Sequence, residues 1–247
     1  GAVNQDTVRL AFSSQLAAQR NNAALQRQIW DEALNAAGRS MRDLTMLYRL
    51  SSIWAWENES ERTLWTIVRS FPTQAWAHQT LFNVYRARKD TDNMRALIGA
   101  LREGDATTPR YKYDWALLSL LVTRTPAWTP AKQAMYELNK TDPANASYAT
   151  GYAMALAQSD KGPEALTVVE KLSQEELALP ARAPYLAYIY GVARRKVEME
   201  KYAAVQSQLT QFLPEEAELI RLGREAVDRP LPKKIESAIR KTESKSD

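Results

Sequence analysis

The stretch YELNKTDPANASY (Tyr136–Tyr148) joins two segments in which apolar residues recur every three or four positions. This spacing is typical of α-helices that bury one face. Thr141-Asp142-Pro143 interrupts the pattern between the two segments. We interpret Asp142 as the N-cap and Pro143 as the first residue of the second helix, because a proline in the first turn loses no hydrogen bond. The sequence therefore predicts two helices that meet at this turn.

The helices also repeat with a constant period. Ala131 and Ala165 are 34 residues apart, and Met135 and Val169 have the same spacing. A period of this length is the signature of repeat architectures, in which each helical pair covers the apolar face of the next pair. No segment shows the sustained alternation of apolar and polar residues that a strand requires. The sequence predicts an all-α fold in which Asp142-Pro143 ends one copy and begins the next.

The copy from Lys112 to Asn145 resembles the tetratricopeptide repeat family. The helix–turn–helix unit of that family follows the pattern W-x2-L-G-x2-Y, then A-x3-F, then P. The matching residues here are Trp115, Leu118, Ala131 and Pro143, whereas Ser119, Val122 and Met135 replace the glycine, tyrosine and phenylalanine. The resemblance implies a right-handed α-α superhelix, that is, a solenoid of stacked helix-turn-helix repeats.

Five such copies are predicted between residues 41 and 213, and Gly191 occupies the glycine position of the last copy. Residues 1–40 are expected to form an N-terminal helical pair, and residues 229–247 a polar tail. Residues 214–228 are expected to form a capping helix, because a repeat array needs a polar face at its end. The predicted copies are 41–74, 75–111, 112–145, 146–183 and 184–213.

The composition excludes several classes of function. The chain of 247 residues contains no cysteine, so it has no disulfide framework, thiol nucleophile or cysteine-ligated metal site. Its net charge is +4, which is weaker than the concentrated positive charge of most nucleic-acid binders. No apolar run reaches the 18 residues typical of a membrane span. Gly1 in place of methionine favours an upstream signal or anchor, and thus an exported or membrane-tethered soluble segment.

Catalytic and metal-binding signatures are absent from the sequence. His78 is the single histidine, and we interpret it as a packing or solvent-facing residue of a helix. The acidic cluster ENESE (Glu57–Glu61) is expected in a loop, as solvated loop and helix-start charge. The segment DTDN (Asp90–Asn93) imitates the start of a calcium loop but has arginine where glycine is required, so helix capping is expected. The sequence predicts no enzyme activity, no cofactor and no metal.

The best candidate binding residues lie on the first helix of each copy, because the resemblance implies that these helices line a concave, ligand-binding surface. Aromatic residues and arginines at helical spacing would suit an extended peptide that carries apolar and acidic groups. In the alternative interpretation, the aromatic residues pack between copies and the arginines satisfy helix C-termini. The candidates are Trp76, Gln79, Asn83, Arg86, Tyr113, Arg124, Tyr185, Tyr188 and Arg195.

These observations favour a non-catalytic scaffold that binds a protein or peptide segment on its concave face. Two alternatives remain open at this stage. Aromatic residues interleaved with arginine also occur in proteins that bind single-stranded nucleic acids, although the modest net charge disfavours this class. The chain could also serve as a spacer segment of a larger envelope protein.

Overall fold

The computed structural model describes residues 3–122, 128–204 and 212–229. Within these ranges the chain forms fourteen α-helices and one short 3-10 helix, with no β-strand, so the all-α prediction is confirmed. The chain divides into two compact units, called here unit 1 (Gly1–Tyr111) and unit 2 (Lys112–Asp247). The predicted bounds of the individual repeats stay a prediction.

Unit 1 consists of helices that pack in sequential pairs, with α1 against α2, α3 against α4 and α5 against α6. Each helix has a buried stripe at helical spacing; in α4 the stripe includes Leu64, Ile67 and Val68. Burial of such stripes is the main stabilising contribution to a helical pair. The helices are α1 (Gln5–Gln19), α2 (Ala23–Ala37), α3 (Met41–Ile53), α4 (Glu57–Ser70), α5 (Ala75–Ala87) and α6 (Thr91–Gly104).

The acidic cluster lies in a helix, so its expected loop position is wrong. Glu57 and Glu59 occupy the first turn of α4, where the helix dipole stabilises carboxylates. The apolar residues that follow from Leu64 onward give this helix a buried face, and the helix extends back to the acidic residues. The DTDN segment behaves as expected: the Asp90 side chain accepts a hydrogen bond from the Asn93 backbone N–H and caps α6.

Among its described residues, unit 2 contains seven whole helices and most of α7, which begins at Pro109. Helix α12 is central to the C-terminal part of the unit, where it contacts α9, α10, α13 and α14. Further toward the N-terminus, α9 packs against α8 and α10. The helices are α7 (Pro109–Leu121), α8 (Trp128–Thr141), α9 (Ala146–Ala157), α10 (Gly162–Val169), α11 (Gln174–Leu177), α12 (Ala183–Val192), α13 (Lys196–Ala203) and α14 (Pro214–Asp228), with the 3-10 helix at Pro180–Arg182.

The turn between α8 and α9 differs from the prediction in one respect. Helix α9 begins at Ala146, and its N-cap is Asn145 instead of Asp142. The Asn145 side-chain oxygen accepts hydrogen bonds from the backbone N–H groups of Ser147 (3.1 Å) and Tyr148 (3.2 Å). Asparagine satisfies two first-turn donors in this way, so Asp142 and Pro143 remain in the turn. The prediction of two helices that meet here is confirmed.

Candidate functional site

A cleft of about 300 Å³ lies in unit 2, where α7, α9, the segment before α12, and α14 converge. The cleft combines apolar side chains with hydroxyl groups, one arginine and one glutamate. A concave, mostly apolar surface with a few polar groups is the usual form of a ligand site. Its lining residues are Tyr113, Leu117, Ser147, Thr150, Gly151, Leu179, Ala181, Arg182, Tyr185 and Glu216.

The cleft brings together two of the aromatic residues singled out in the sequence, Tyr113 and Tyr185. Tyr185 is buried and donates a hydrogen bond of 2.6 Å from its hydroxyl group to Glu216 Oε1. The Tyr113 ring lies 5.5 Å from the Tyr148 ring, measured between centroids. Burial raises the pKa of Tyr113, so its hydroxyl group stays protonated at neutral pH, and the Ser147 side chain is a hydrogen-bond partner of this group.

Close helix packing at Gly151 shapes one wall of the cleft. A Cβ atom at this position would lie 2.7 Å from Met135 Sδ and 3.3 Å from Tyr113 Cε2. A side chain at residue 151 would therefore displace the end of the Met135 side chain and crowd the Tyr113 ring. The glycine allows α9 to approach the residues of α7 and α8 and keeps this part of the cleft open.

The two charged residues of the cleft, Arg182 and Glu216, differ in how many hydrogen bonds they already form. Glu216 accepts a hydrogen bond from Tyr185 through Oε1 and another, of 2.8 Å, from the Leu213 backbone N–H through Oε2. Arg182 donates from Nη1 to the backbone carbonyl of Glu176. A guanidinium group has five N–H donors, so Arg182 keeps donors for a ligand.

The apolar wall of the cleft is formed mainly by Leu117 and Leu179. Leu179 precedes the 3-10 helix and is 49% exposed, although it is a large hydrophobic residue. Exposed apolar surface next to hydrogen-bonding groups is typical of binding sites. This wall was missed in the sequence, because Leu179 falls in a short segment that interrupts the repeat period.

The other candidates of unit 2 lie outside the residues that line the cleft. Tyr188 is half-buried in α12, where burial raises the pKa of its hydroxyl group. Arg195 is exposed and forms ion pairs with Glu198 and, at 3.9 Å, with Glu170. Arg124 lies outside the described residues.

The four candidates of unit 1 share one exposed face of α5. The Gln79 side-chain amide donates a hydrogen bond of 2.9 Å to Asn83 Oδ1. The Trp76 ring lies 5.5 Å from the Tyr48 ring of α3, yet Trp76 is still 37% exposed. Trp76 thus packs between neighbouring helices and also contributes to the exposed surface. The face consists of Trp76, Gln79, Asn83 and Arg86.

His78 is buried in α5, where desolvation lowers its pKa and favours the neutral imidazole. In the parts of the chain that the structure describes, no group of three or more histidine, aspartate or glutamate side chains is arranged to hold a metal ion. None of the helices in these parts combines the length and apolar character needed to cross a membrane.

No protein-family model and no curated protein sequence matches the chain. Solved structures share its helical architecture. Its structural neighbours are tetratricopeptide repeat proteins. A tetratricopeptide repeat protein from Parabacteroides merdae is 13% identical, with 94% of this chain and 96% of that chain covered and a TM-score of 0.45.

Two further neighbours have similar statistics. The type IV pilus biogenesis factor PilW is 9% identical, with 88% of this chain and 100% of that chain covered and a TM-score of 0.42. MamA from Desulfovibrio magneticus is 13% identical, with 69% of this chain and 94% of that chain covered and a TM-score of 0.38.

Proposed function

We propose that the protein is a non-catalytic scaffold that binds a segment of a partner protein. Tetratricopeptide-like helical pairs typically serve this purpose, because stacked helices offer an extended and rigid surface. The unit 2 cleft is the proposed anchor point. The observation that carries the proposal is that Tyr113, Tyr185 and Arg182 line the same partly apolar cleft.

The chemistry of the cleft favours an apolar side chain beside an acidic group. Leu117 and Leu179 offer apolar surface to the apolar side chain, and the cleft volume of about 300 Å³ is enough for one large side chain. Arg182 offers N–H donors to the acidic group of the ligand. Hydrogen bonds from a guanidinium group to a carboxylate are among the strongest in proteins. The Tyr113 ring adds aromatic surface to the same cleft.

The exposed face of α5 is proposed as a further contact surface for partner segments. Trp76 offers exposed ring area at a small conformational cost, and Arg86 offers a positive charge. The proposal also includes Tyr188 and Arg195 of unit 2; Arg195 would exchange its exposed ion pairs for contacts with a partner, which costs little because such pairs are weak.

The test is a selection of random linear peptides against the whole chain, followed by fluorescence anisotropy with synthetic peptides of the enriched sequence. We expect Leu179→Glu to weaken binding at least about tenfold, because it places a charge on the apolar wall. The matched control is Val197→Glu, since Val197 is 81% exposed in the same unit and does not line the cleft. Circular dichroism verifies that both variants fold.

Two outcomes would overturn the proposal. In the first, the enriched peptides bind Leu179→Glu as tightly as the unchanged chain. In the second, no peptide is enriched while a labelled single-stranded RNA binds at about 0.1 M salt, where weak nonspecific attraction is screened. The second outcome would favour the nucleic-acid alternative.

A further inference from the structure

A second cleft, of about 340 Å³, lies in unit 1 between the end of α3, the start of α4 and α5. Its accessible aliphatic surface includes Val84 and Ala87, and the aromatic residues Tyr48 and Trp56 also line it. The cleft therefore has both aliphatic and aromatic surface. The remaining lining residues are Ser52, Ala55, Glu57, Ser60, Glu61, Thr80 and Arg88, with the buried residues Leu64 and Leu81 beneath them.

The charges of this cleft are unequal. Glu57 and Glu61 are four residues apart in α4, so they project from the same face of the helix and both line the cleft. Arg88 is the single basic residue among those that line it, and it bridges the two carboxylates. The distances are 2.8 Å from Nη1 to Glu61 Oε2 and 3.1 Å from Nη2 to Glu57 Oε2. Two negative charges and one positive charge leave the cleft with an excess negative charge.

The two carboxylates differ in how much hydrogen-bonding capacity they keep. Glu61 accepts from Arg88 through Oε2 and from the Tyr85 hydroxyl group, at 2.7 Å, through Oε1. The Glu57 side chain is 80% exposed, and its one hydrogen bond within the described part of the chain is the bond from Arg88. A carboxylate can accept several hydrogen bonds, so Glu57 has the capacity for another cation.

We propose that this cleft receives a lysine or arginine side chain from a partner segment. The aliphatic stem of such a side chain would lie on Val84 and Ala87, as long cationic side chains do on apolar surfaces. The cation would lie near the aromatic surface of Tyr48 and Trp56, where a π face attracts it. Its hydrogen bonds would go to Glu57, which matches its charge.

This inference is independent of the unit 2 cleft. The two clefts belong to different units and favour opposite charges, because Arg182 supplies the available donors in unit 2 and Glu57 the available acceptor in unit 1. Neither site depends on the other for its chemistry.

The role of Arg88 distinguishes a cation-binding cleft from a purely apolar one. Its guanidinium group already neutralises part of the acidic charge, so an incoming cation competes with it. Replacement by glutamine would leave Glu57 and Glu61 without their positively charged partner, while Glu61 keeps the hydrogen bond from Tyr85. A cation-binding cleft would then bind more tightly, whereas a purely apolar cleft would not.

The experiment measures binding of blocked pentapeptides to the isotope-labelled whole chain by nuclear magnetic resonance. The probes have the sequence Ala-Ala-X-Ala-Ala, where X is lysine, arginine or the uncharged analogue norleucine. The reporter is the indole N–H signal of Trp56, which is identified by its loss in Trp56→Phe. We expect saturable shifts with lysine or arginine and none with norleucine, and the two cationic arms decide which side chain is preferred.

Three variants complete the test. We expect Glu57→Gln to weaken binding about threefold or more and Arg88→Gln to strengthen it about threefold, as befits ionic interactions of partly exposed groups. Glu103→Gln is the charge-matched control, because Glu103 is exposed in unit 1 and does not line the cleft. Equal binding of norleucine, absence of any shift, or weaker binding by Arg88→Gln would overturn the inference. Leu179→Glu should leave it unchanged, which separates failure here from failure of the proposed function.

Discussion

Gly191 of α12 and Gly223 of α14 touch through their backbones. A Cβ atom on Gly191 would lie 2.2 Å from the carbonyl oxygen of Gly223, and a Cβ atom on Gly223 would lie 2.7 Å from the carbonyl oxygen of Ala187. Carbon and oxygen atoms that are not bonded do not approach this closely, so neither position has room for a side chain. The contact fixes the distance between the two helices.

Gly191→Ala is accordingly expected to lower the free energy of unfolding by about 3 kcal/mol, because the new methyl group must force α14 away from α12. Urea unfolding followed by circular dichroism measures this loss. Ala178→Ser is the control, since it adds one heavy atom at an exposed position of the same unit. A loss below about 0.5 kcal/mol, the range of ordinary surface substitutions, would contradict the close contact.

Tyr85→Phe should destabilise unit 1 by about 1–3 kcal/mol, because it removes the acceptor of the Trp65 indole N–H and one of the two hydrogen bonds that Glu61 accepts. The Trp65 indole N–H donates to the Tyr85 hydroxyl group at 2.6 Å, and that hydroxyl group donates to Glu61. Chemical denaturation measures the loss. Tyr136→Phe is the control, because Tyr136 is largely exposed. Equal stability of the two variants would show that the hydrogen-bonded chain contributes nothing.

Stability should fall as the pH is lowered from about 7.5 to about 5, because of His78. Burial lowers the pKa of His78 in the folded chain, so the unfolded chain binds the proton more readily as the pH passes its ordinary value near 6.5. Protonation then favours the unfolded state, and stability rises again with pH. Carboxylates ordinarily titrate below this window.

His78→Phe tests the assignment, since His78 is the one histidine of the chain. Thermal unfolding at several pH values between about 5 and 7.5 should show a smaller pH dependence in this variant. A dependence as steep as that of the unchanged chain would mean that another group is responsible.

Asn145→Ala should cost about 1 kcal/mol of stability, the usual loss for an N-cap. The alanine cannot accept the hydrogen bonds from Ser147 and Tyr148 that the Asn145 side chain receives. Asn145→Ser keeps an acceptor and should lose much less. If both variants unfold at the same urea concentration, the cap does not stabilise α9.

The repeated helical pairs could be predicted from the sequence because they depend on local spacing. Ala131, Met135 and Leu138 recur at helical intervals, and all three are buried in α8. The same reasoning misplaced the start of α9, because Asp142 and Asn145 are both good N-caps and only the completed turn decides between them. Local spacing thus determines the helices better than their ends.

The two clefts depend on contacts between residues far apart in the sequence. Leu179 and Arg182 belong to an irregular segment with no counterpart in the neighbouring copies, so the repeat pattern could not place them. The spacing of Glu57 and Glu61 did contain a usable signal, since residues four apart share a helix face. That signal was overlooked because the acidic cluster was assigned to a loop. The close approach of Gly223 to α12 had no local signal.

Glu216 links the cleft to the start of α14, because each of its carboxylate oxygens accepts a hydrogen bond from a different place in unit 2. One carboxylate oxygen holds the Tyr185 hydroxyl group at the cleft, and the other holds the Leu213 backbone N–H at the first turn of α14. A ligand that pulls Tyr185 away would remove one of the two hydrogen bonds that Glu216 accepts, and fraying of the first turn of α14 would in turn loosen Tyr185. Thermodynamic reciprocity requires these effects to be equal in free energy. Binding of a ligand in the cleft would therefore change how well ordered α14 is. A probe placed on α14 would detect this binding without contacting the ligand.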